Sequence, residues 1–193
     1  MRYPKGHREE THARIVDEAA RVFRADGFDG VSIGELMARL GLTHGGFYAH
    51  FENKDVLAAE ACEHAAAQGQ EELLRGVDQM PREEAFPTVV RRYLSRTHRD
   101  HPETGCAAAA LGSEMRRAPS MVRSVFGRVV ESISGRLRRL MSTSTTEEQA
   151  LGALATMVGG MVLARGVEDP AQSERILRAA RRFVMRADTS SNR

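Results

Sequence analysis

Apolar residues recur at helical spacing through the first part of the chain. Between residues 9 and 25 they fall on one face of a helix and comprise Ile15, Val16, Ala19, Val22 and Phe23. Gly27 then suits the left-handed position that commonly follows a helix. The pattern predicts a first helix that ends just before this glycine.

A serine and a glutamate three residues apart predict where the second helix begins. Ser32 and Glu35 have the spacing of a capping box, in which each side chain accepts a hydrogen bond from the other residue's backbone N–H. This helix stops at Gly41, and Thr43 caps another short helix over residues 43–51. Two short helices joined by a tight turn are typical of a helix-turn-helix, whose second helix enters the major groove of DNA.

The rest of the chain is also predicted to be helical, without strand alternation or repeats. Asn53 caps a fourth helix that ends near Gly76, and Pro87 suits the first turn of a fifth. A loop is expected at 101–105 and further helices at 106–115, from 119, at 147–165 and from 170. We therefore predict an all-α fold of about nine helices. Its parts are an N-terminal three-helix helix-turn-helix DNA-binding domain (1–54), a larger C-terminal helical ligand-binding and dimerisation domain (55–188) and a disordered tail (189–193).

Composition and charge exclude several classes of protein. A net charge of +2 is too small to indicate nucleic-acid binding, so that function has to rest on local pattern. The two cysteines have no metal-ligand spacing, and free thiols indicate a reducing compartment. The longest apolar stretch without charge, 150–164, is shorter than the roughly 20 residues of a membrane span. We expect a cytoplasmic protein without a signal peptide, membrane segment, metal or cofactor.

The predicted recognition helix carries side chains suited to DNA. Thr43 and His44 lie at its N-terminal end, where they can reach base edges or phosphate oxygens. Gly45 and Gly46 each disfavour a helix by about 1 kcal/mol relative to alanine, but they let backbone approach DNA closely. Tyr48, on the face away from the inward-facing phenylalanines, is expected to reach phosphates.

Three further polar positions extend this predicted interface. His50 is expected to share the phosphate-facing side with Tyr48, and Lys54 adds a positive charge at the start of the next helix. Residues 1–54 hold eight Lys/Arg and eight Asp/Glu, so the region is basic only locally, at Arg2, Lys5 and Arg8. That arm either follows the DNA backbone or is a frayed basic tail.

Three stretches of this region, 15–23, 27–33 and 41–57, resemble the TetR family of bacterial one-component regulators, over about the first third of the chain. The resemblance implies a helical C-terminal domain that binds an inducer and dimerises, palindromic operators, and repression relieved by ligand. By position, the family's DNA contacts fall on Ser32, Gly34, Thr43, His44, Gly46, Tyr48, His50 and Lys54. Some members of the family have a base-contacting side chain at position 34, which glycine lacks. Glycine at position 46, where hydroxyl residues are frequent, implies that Thr43 and His44 make more of the base contacts.

The C-terminal part has no catalytic signature but a soft, methionine-rich interior. It is interpreted as a pocket for an apolar or amphipathic small-molecule effector, or else as an ordinary core. The predicted pocket residues are Tyr93, Cys106, Met115, Phe126, Met157 and Met161.

Two helices near the C-terminus are the expected homodimer contact. Their apolar residues occupy more than one stripe and include Leu151, Leu154, Met157, Val158, Met161 and Val162. Two such helices from each subunit would form a four-helix bundle about a two-fold axis. The many arginines of the seventh helix are expected to form a solvated face or to attract an acidic ligand.

Three alternatives to a ligand-released repressor remain open at this point. A thiol at the N-terminus of a helix gains reactivity, so Cys106 is a candidate redox or electrophile sensor. A small helical enzyme would use His98, His101 and Cys106. An architectural protein would bind all DNA sequences equally. We predict a regulator that is not an enzyme and that binds double-stranded DNA.

Overall fold

The computed structural model describes the backbone of residues 5–190 and the side chains of residues 6–188, and all regular structure in this range is helical. The helices are α1 (Lys5–Asp26), α2 (Ile33–Arg39), α3 (His44–Phe47), α4 (Lys54–Leu74), α5 (Arg82–Tyr93), α6 (Arg96–Asp100), α7 (Ala107–Leu111), α8 (Ser120–Leu140), α9 (Glu147–Gly166) and α10 (Pro170–Ser190). Short 3-10 turns lie at Val77–Gln79 and Pro102–Thr104. The all-α prediction is confirmed.

Side-chain caps begin several helices where the sequence predicts them. The N–H of Glu35 donates to Ser32 Oγ at 3.2 Å, and the N–H of Ser32 donates to Glu35 Oε2 at 2.8 Å. Thr43 and Asn53 cap α3 and α4 through their side chains alone, accepting from the N–H of Gly46 and Val56 at 3.2 and 3.0 Å. These caps satisfy backbone donors that no helical carbonyl can reach, which fixes where each helix begins.

Three predicted helices differ from those observed. The α3 helix ends at Phe47 and residues 48–50 form turns, so the helix predicted over 43–51 is shorter than expected. The helix predicted over 106–115 ends at Leu111. Pro87 lies inside α5 and Pro81 precedes it, so the first-turn position predicted for Pro87 is wrong. Burial of Phe86 and Val89 on either side of the proline stabilises the helix there.

Helix α4 packs extensively against both α1 and α8. It continues without a break across the predicted domain boundary at residues 54 and 55. The first three helices and the C-terminal helices therefore share one hydrophobic core, with Phe23, Phe47 and Leu57 fully buried.

Helices α9 and α10 pack against each other at the far end of the chain. They leave large apolar side chains exposed, at Leu151, Val162, Leu163 and Phe183. Helix α10 reaches Ser190, while residues 191–193 of the predicted tail lie outside the described residues. Among the described helices none is both long and apolar enough to cross a membrane.

Candidate DNA-binding interface and cavity

The turn between α2 and α3 has the compact form that a helix-turn-helix requires. Gly41 has a φ of +70°, which only glycine adopts without strain. The N–H of Leu42 donates to the carbonyl of Met37 at 2.9 Å and closes the end of α2. Phe47, fully buried beneath α3, then fixes that helix on the core.

The outer face of α3 and the turn after it present three predicted DNA contacts to solvent. Thr43, His44 and Tyr48 are exposed, and Tyr48 keeps 61% of its surface accessible. The rings of His44 and Tyr48 stack with their centroids 6.0 Å apart. The buried ring of Phe47 lies edge-on to Tyr48 at 5.3 Å and supports it from below. These polar tips form one contiguous exposed patch.

Three glycines lie around this patch, at positions 34, 45 and 46. A Cβ at Gly34 would lie 4.0 Å from the His44 ring, so the α2 position predicted to contact DNA adjoins His44. A Cβ at Gly45 would meet nothing within 4 Å, and its φ is not positive. Packing inside the chain therefore does not require glycine at 45. Gly46 lies half-buried above Met37, and its N–H is the donor that Thr43 caps.

His50 is less exposed than Tyr48, and its role as a DNA contact stays a prediction. It is half-buried, its Nδ1 is enclosed without a hydrogen-bond partner, and its ring lies 6.1 Å from that of His12. Burial, together with the nearby His12 and Arg8, lowers the pKa of the His50 imidazole. The His50 side chain thus lies near α1, after the turn that follows α3.

Lys54 contacts the chain itself in this structure. Its Nζ donates to the carbonyl of Val31 at 2.7 Å and lies 6.0 Å from the centre of the Phe23 ring. The side chain therefore joins the start of α4 to the segment before α2. Ser32 remains exposed next to this contact.

Helix α1 holds the recognition turn through contacts that the sequence analysis missed. Arg8 Nη2 donates to the carbonyl of Ala49 at 2.7 Å. His12 stacks on Phe51 at 4.4 Å while its Nε2 contacts Glu60 Oε2 at 2.7 Å. Of the predicted basic arm, Arg8 thus lies on α1, whereas Arg2 and the Lys5 side chain lie outside the described residues. Only long-range folding brings positions 8 and 49 together, so local spacing gives no signal for this contact.

A cavity of about 1070 Å³ opens where α1, α4 and the end of α5 meet residues 95–107. Of the six predicted pocket residues, Tyr93 and Cys106 line it. The other four do not: Met115, Met157 and Met161 fill the buried core and Phe126 lies half-buried beside it. The three methionines fill space between long helices, as flexible side chains commonly do. The cavity lies elsewhere, beside the short helical segments of residues 95–107.

A histidine with both ring nitrogens bonded forms the inner wall of the cavity. His98 Nδ1–H donates to the carbonyl of Tyr93 at 2.6 Å, and Nε2 accepts from the N–H of Cys106 at 2.9 Å. Burial lowers the pKa of His98 to about 4, so the imidazole is neutral near pH 7. His98 therefore links two backbone segments. Because both of its ring nitrogens are bonded, it has no free nitrogen for the catalysis that the helical-enzyme alternative requires. The described residues contain no group of three His, Cys, Asp or Glu side chains placed to hold a metal ion.

The two thiols differ in accessibility. Cys62 is fully buried in α4, and burial raises its pKa to about 11. Cys106 is half-buried, free of any disulfide, and forms part of the cavity wall beside Tyr93.

Comparison with known proteins identifies the helix-turn-helix region. Residues 15–61 match the family described as bacterial regulatory proteins, tetR family. The chain is 36% identical over 55 residues to the uncharacterized HTH-type transcriptional regulator YerO of Bacillus subtilis, and 37% identical over 62 residues to the HTH-type transcriptional regulator AcrR of Shigella flexneri. These segments cover 28% and 32% of this chain but only 19% and 29% of the two relatives.

Solved structures resemble the chain over nearly its whole length. A TetR transcriptional regulator from Chloroflexus aurantiacus is 25% identical with a TM-score of 0.76, covering 93% of this chain and 96% of that one. A TetR-family regulator from Cytophaga hutchinsonii is 20% identical with a TM-score of 0.78, covering 96% and 97%. The similarity in fold therefore extends beyond the helix-turn-helix to most of the chain.

Proposed function

We propose that this chain, a transcriptional regulator of the TetR family and not an enzyme, represses its target genes in the cytoplasm by binding a palindromic operator as a homodimer. A small-molecule effector that enters the cavity would release it. The observation that carries the proposal is the exposed patch of Thr43, His44 and Tyr48 on a capped recognition helix.

Direct readout in this proposal rests on few side chains. Thr43 and His44 contact base edges, and Tyr48 contacts phosphate, while Gly45 and Gly46 let the backbone lie close to the duplex. Ser32 and Gly34 border the same surface from α2, and Ser32 adds a hydroxyl for phosphate. Lys54 and His50 would first have to leave their internal contacts, so we give them a smaller share of the affinity.

The apolar faces of α9 and α10 support a homodimer. Leu163 and Phe183 expose 62% and 65% of their surface, which is unfavourable unless a partner covers them. Paired α9 and α10 helices from two subunits would bury these side chains in a four-helix bundle. The two recognition helices would then lie about 34–36 Å apart, as successive major grooves require.

The effector would act through both helices that border the cavity. Residues of α4 between Ala66 and Leu73 form one wall, and Asp17, Arg21 and Arg24 of α1 form another. A ligand changes DNA affinity only if it binds the free and DNA-bound conformations differently. Movement of α1 and α4 relative to the dimer contact would alter the spacing of the two recognition helices.

Fluorescence anisotropy with duplexes tiled across the DNA that flanks the gene tests the proposal. We expect one duplex to bind far more tightly than the others, and His44→Ala to weaken that duplex at least tenfold. His101→Ala, an exposed histidine outside the helix-turn-helix, serves as the control and should bind like the unmodified chain. Equal binding of all duplexes would instead favour the architectural alternative.

A further inference from the structure

The wall of the cavity contains buried polar groups whose hydrogen bonds are incomplete. Among the described residues, three of the side chains that line it each have an enclosed polar atom without a partner: Arg24 Nε, Gln70 Oε1 and Tyr93 Oη. Arg24 and Tyr93 are 5% and 2% exposed. Because an unpaired buried polar group costs free energy, such groups collected at one cavity indicate a missing partner.

The deepest charges at this place are positive. Arg24 donates to the carbonyls of Ala65 and Gly105 at 3.0 and 3.4 Å and to Gln68 Oε1 at 2.9 Å. Behind Gly105, Arg165 donates to the carbonyls of His98 and Arg99 at 2.6 and 3.1 Å. Within the described part of the chain, neither guanidinium has a carboxylate oxygen within 4 Å. Burial lowers the pKa of both guanidiniums, which reflects the cost of enclosing a charge without a counter-ion.

Acidic side chains in the outer wall mostly have partners already. Asp17 accepts from Gln68 at 2.6 Å and contacts His64 at 3.1 Å. Glu103 contacts His101 at 3.2 Å, and Glu72 pairs with Arg75. These carboxylates therefore do not compensate the inner guanidiniums at close range, although Asp17 and Glu103 attract Arg24 from a distance.

We propose that the effector of this cavity is an organic carboxylate, held by Arg24 and Tyr93. The free guanidinium N–H and the phenolic O–H provide two donors, the number that the two oxygens of one carboxylate accept. Both side chains converge on residues 105–106, since Arg24 bonds to Gly105 and the Tyr93 hydroxyl lies beside Cys106. Ala66, Leu73 and Ile133 offer apolar surface for the body of the ligand, and Gln70 Oε1 accepts from one donor on it.

This inference rests on the proposed function and adds a route from the cavity to DNA. Arg24 lies near the C-terminal end of α1, whose N-terminal part holds the recognition turn through Arg8 and Ala49. A carboxylate that attracts Arg24 would weaken its 3.4 Å bond to Gly105 and shift α1 as a rigid rod.

Isothermal titration calorimetry tests the ligand class. The probes are benzoate, salicylate, phenylacetate and octanoate, each compared with its primary amide, which keeps the shape but not the charge. We expect at least one carboxylate to bind at least tenfold more tightly than its amide. Equal affinity of acid and amide, or no binding by any of the four acids, would overturn the assignment.

Three variants identify the binding groups. Arg24→Met should weaken binding of the carboxylate at least tenfold, whereas Arg14→Met, at an exposed position of the same helix outside the cavity wall, should leave binding unchanged. Tyr93→Phe removes only the hydroxyl, which lies beside the Cys106 thiol, so the variant should keep the fold and should also bind the acid more weakly. If an acid binds all three variants with the affinity of the unmodified chain, its carboxylate does not contact Arg24 or Tyr93.

A separate readout distinguishes failure of this inference from failure of the proposed function. Anisotropy of a preformed DNA complex is followed while the bound acid is added. Release of DNA by the acid, lost in Tyr93→Phe, supports both proposals. Tight binding of the acid without any change in DNA affinity would keep the ligand class but overturn its role as an effector.

Discussion

The carboxylate of Glu114 accepts a hydrogen bond from the backbone N–H of Phe28 at 3.0 Å, across 86 positions of the chain. Glu114 follows α7 in the C-terminal part, whereas Phe28 lies between α1 and α2 of the DNA-binding region. A second hydrogen bond joins the same two regions, since Arg24 of α1 donates to the carbonyl of Gly105. The C-terminal end of α1 is thus held by the domain that contains most of the cavity wall, and its N-terminal part holds the recognition turn.

We predict that Glu114→Ala destabilises the chain, because it leaves the half-buried N–H of Phe28 without an acceptor. The expected loss in the free energy of unfolding is about 1–3 kcal/mol, measured by urea denaturation. Glu114→Gln keeps a side-chain oxygen at the same reach and should recover most of the loss. Equal stability of the alanine variant and the unmodified chain would mean that this bond does not join the two regions.

Replacement of Gly45 by alanine should separate DNA binding from stability. A Cβ at this position meets nothing in the chain, so helix propensity should increase the free energy of unfolding by up to about 1 kcal/mol. DNA affinity should nevertheless fall, since the added methyl group would lie between backbone and duplex. Gly127→Ala, at an exposed and equally open position of α8, is the matched control. A Gly45→Ala variant that binds DNA normally would remove the close-approach explanation.

Charged substitutions on α9 and α10 should break the proposed homodimer. Leu163→Asp with Phe183→Asp places two carboxylates where the apolar contact is expected, and light scattering should report the 21.3 kDa mass of one chain. Met121→Asp, at a residue 51% exposed on α8, should leave the dimer intact. Circular dichroism checks that each variant remains helical. A double variant that still has twice the mass of one chain would show that the contact lies elsewhere.

Alkylation should distinguish the two cysteines. At pH 8, iodoacetamide should modify half-buried Cys106 at least tenfold faster than Cys62, which is fully buried and has a pKa of about 11. Mass spectrometry of the digested protein gives both rates. If oxidation of Cys106 by peroxide also changes DNA affinity, and Cys106→Ser prevents that change, the redox-sensing alternative gains support. Similar rates at both thiols would contradict the accessibility described for this wall.

Features that depend on neighbouring residues could be predicted from the sequence. The capping box of Ser32 and Glu35, the cap at Thr43 and the turn at Gly41 each involve residues a few positions apart. Helical periodicity likewise located the long helices, because one apolar face has to be buried.

Features that depend on distant packing could not be predicted. The cavity forms between helices far apart in sequence, so the methionines proposed for it proved to be core, and the contribution of Arg24 from α1 was missed. His50 was placed by ideal helical geometry, which α3 abandons after Phe47. An unpartnered buried arginine has no sequence signature, because its burial depends on long-range contacts.

Selection of bound sequences from random DNA duplexes, followed by titration of the winner, tests the central claim most directly. We predict enrichment of a palindrome with half-sites one helical turn apart, bound roughly 10³-fold or more tightly than random duplex at the same salt concentration. Tyr48→Ala, at a residue 61% exposed, should abolish this binding while the chain remains folded. No enriched sequence, or full affinity in the Tyr48→Ala variant, would contradict the account.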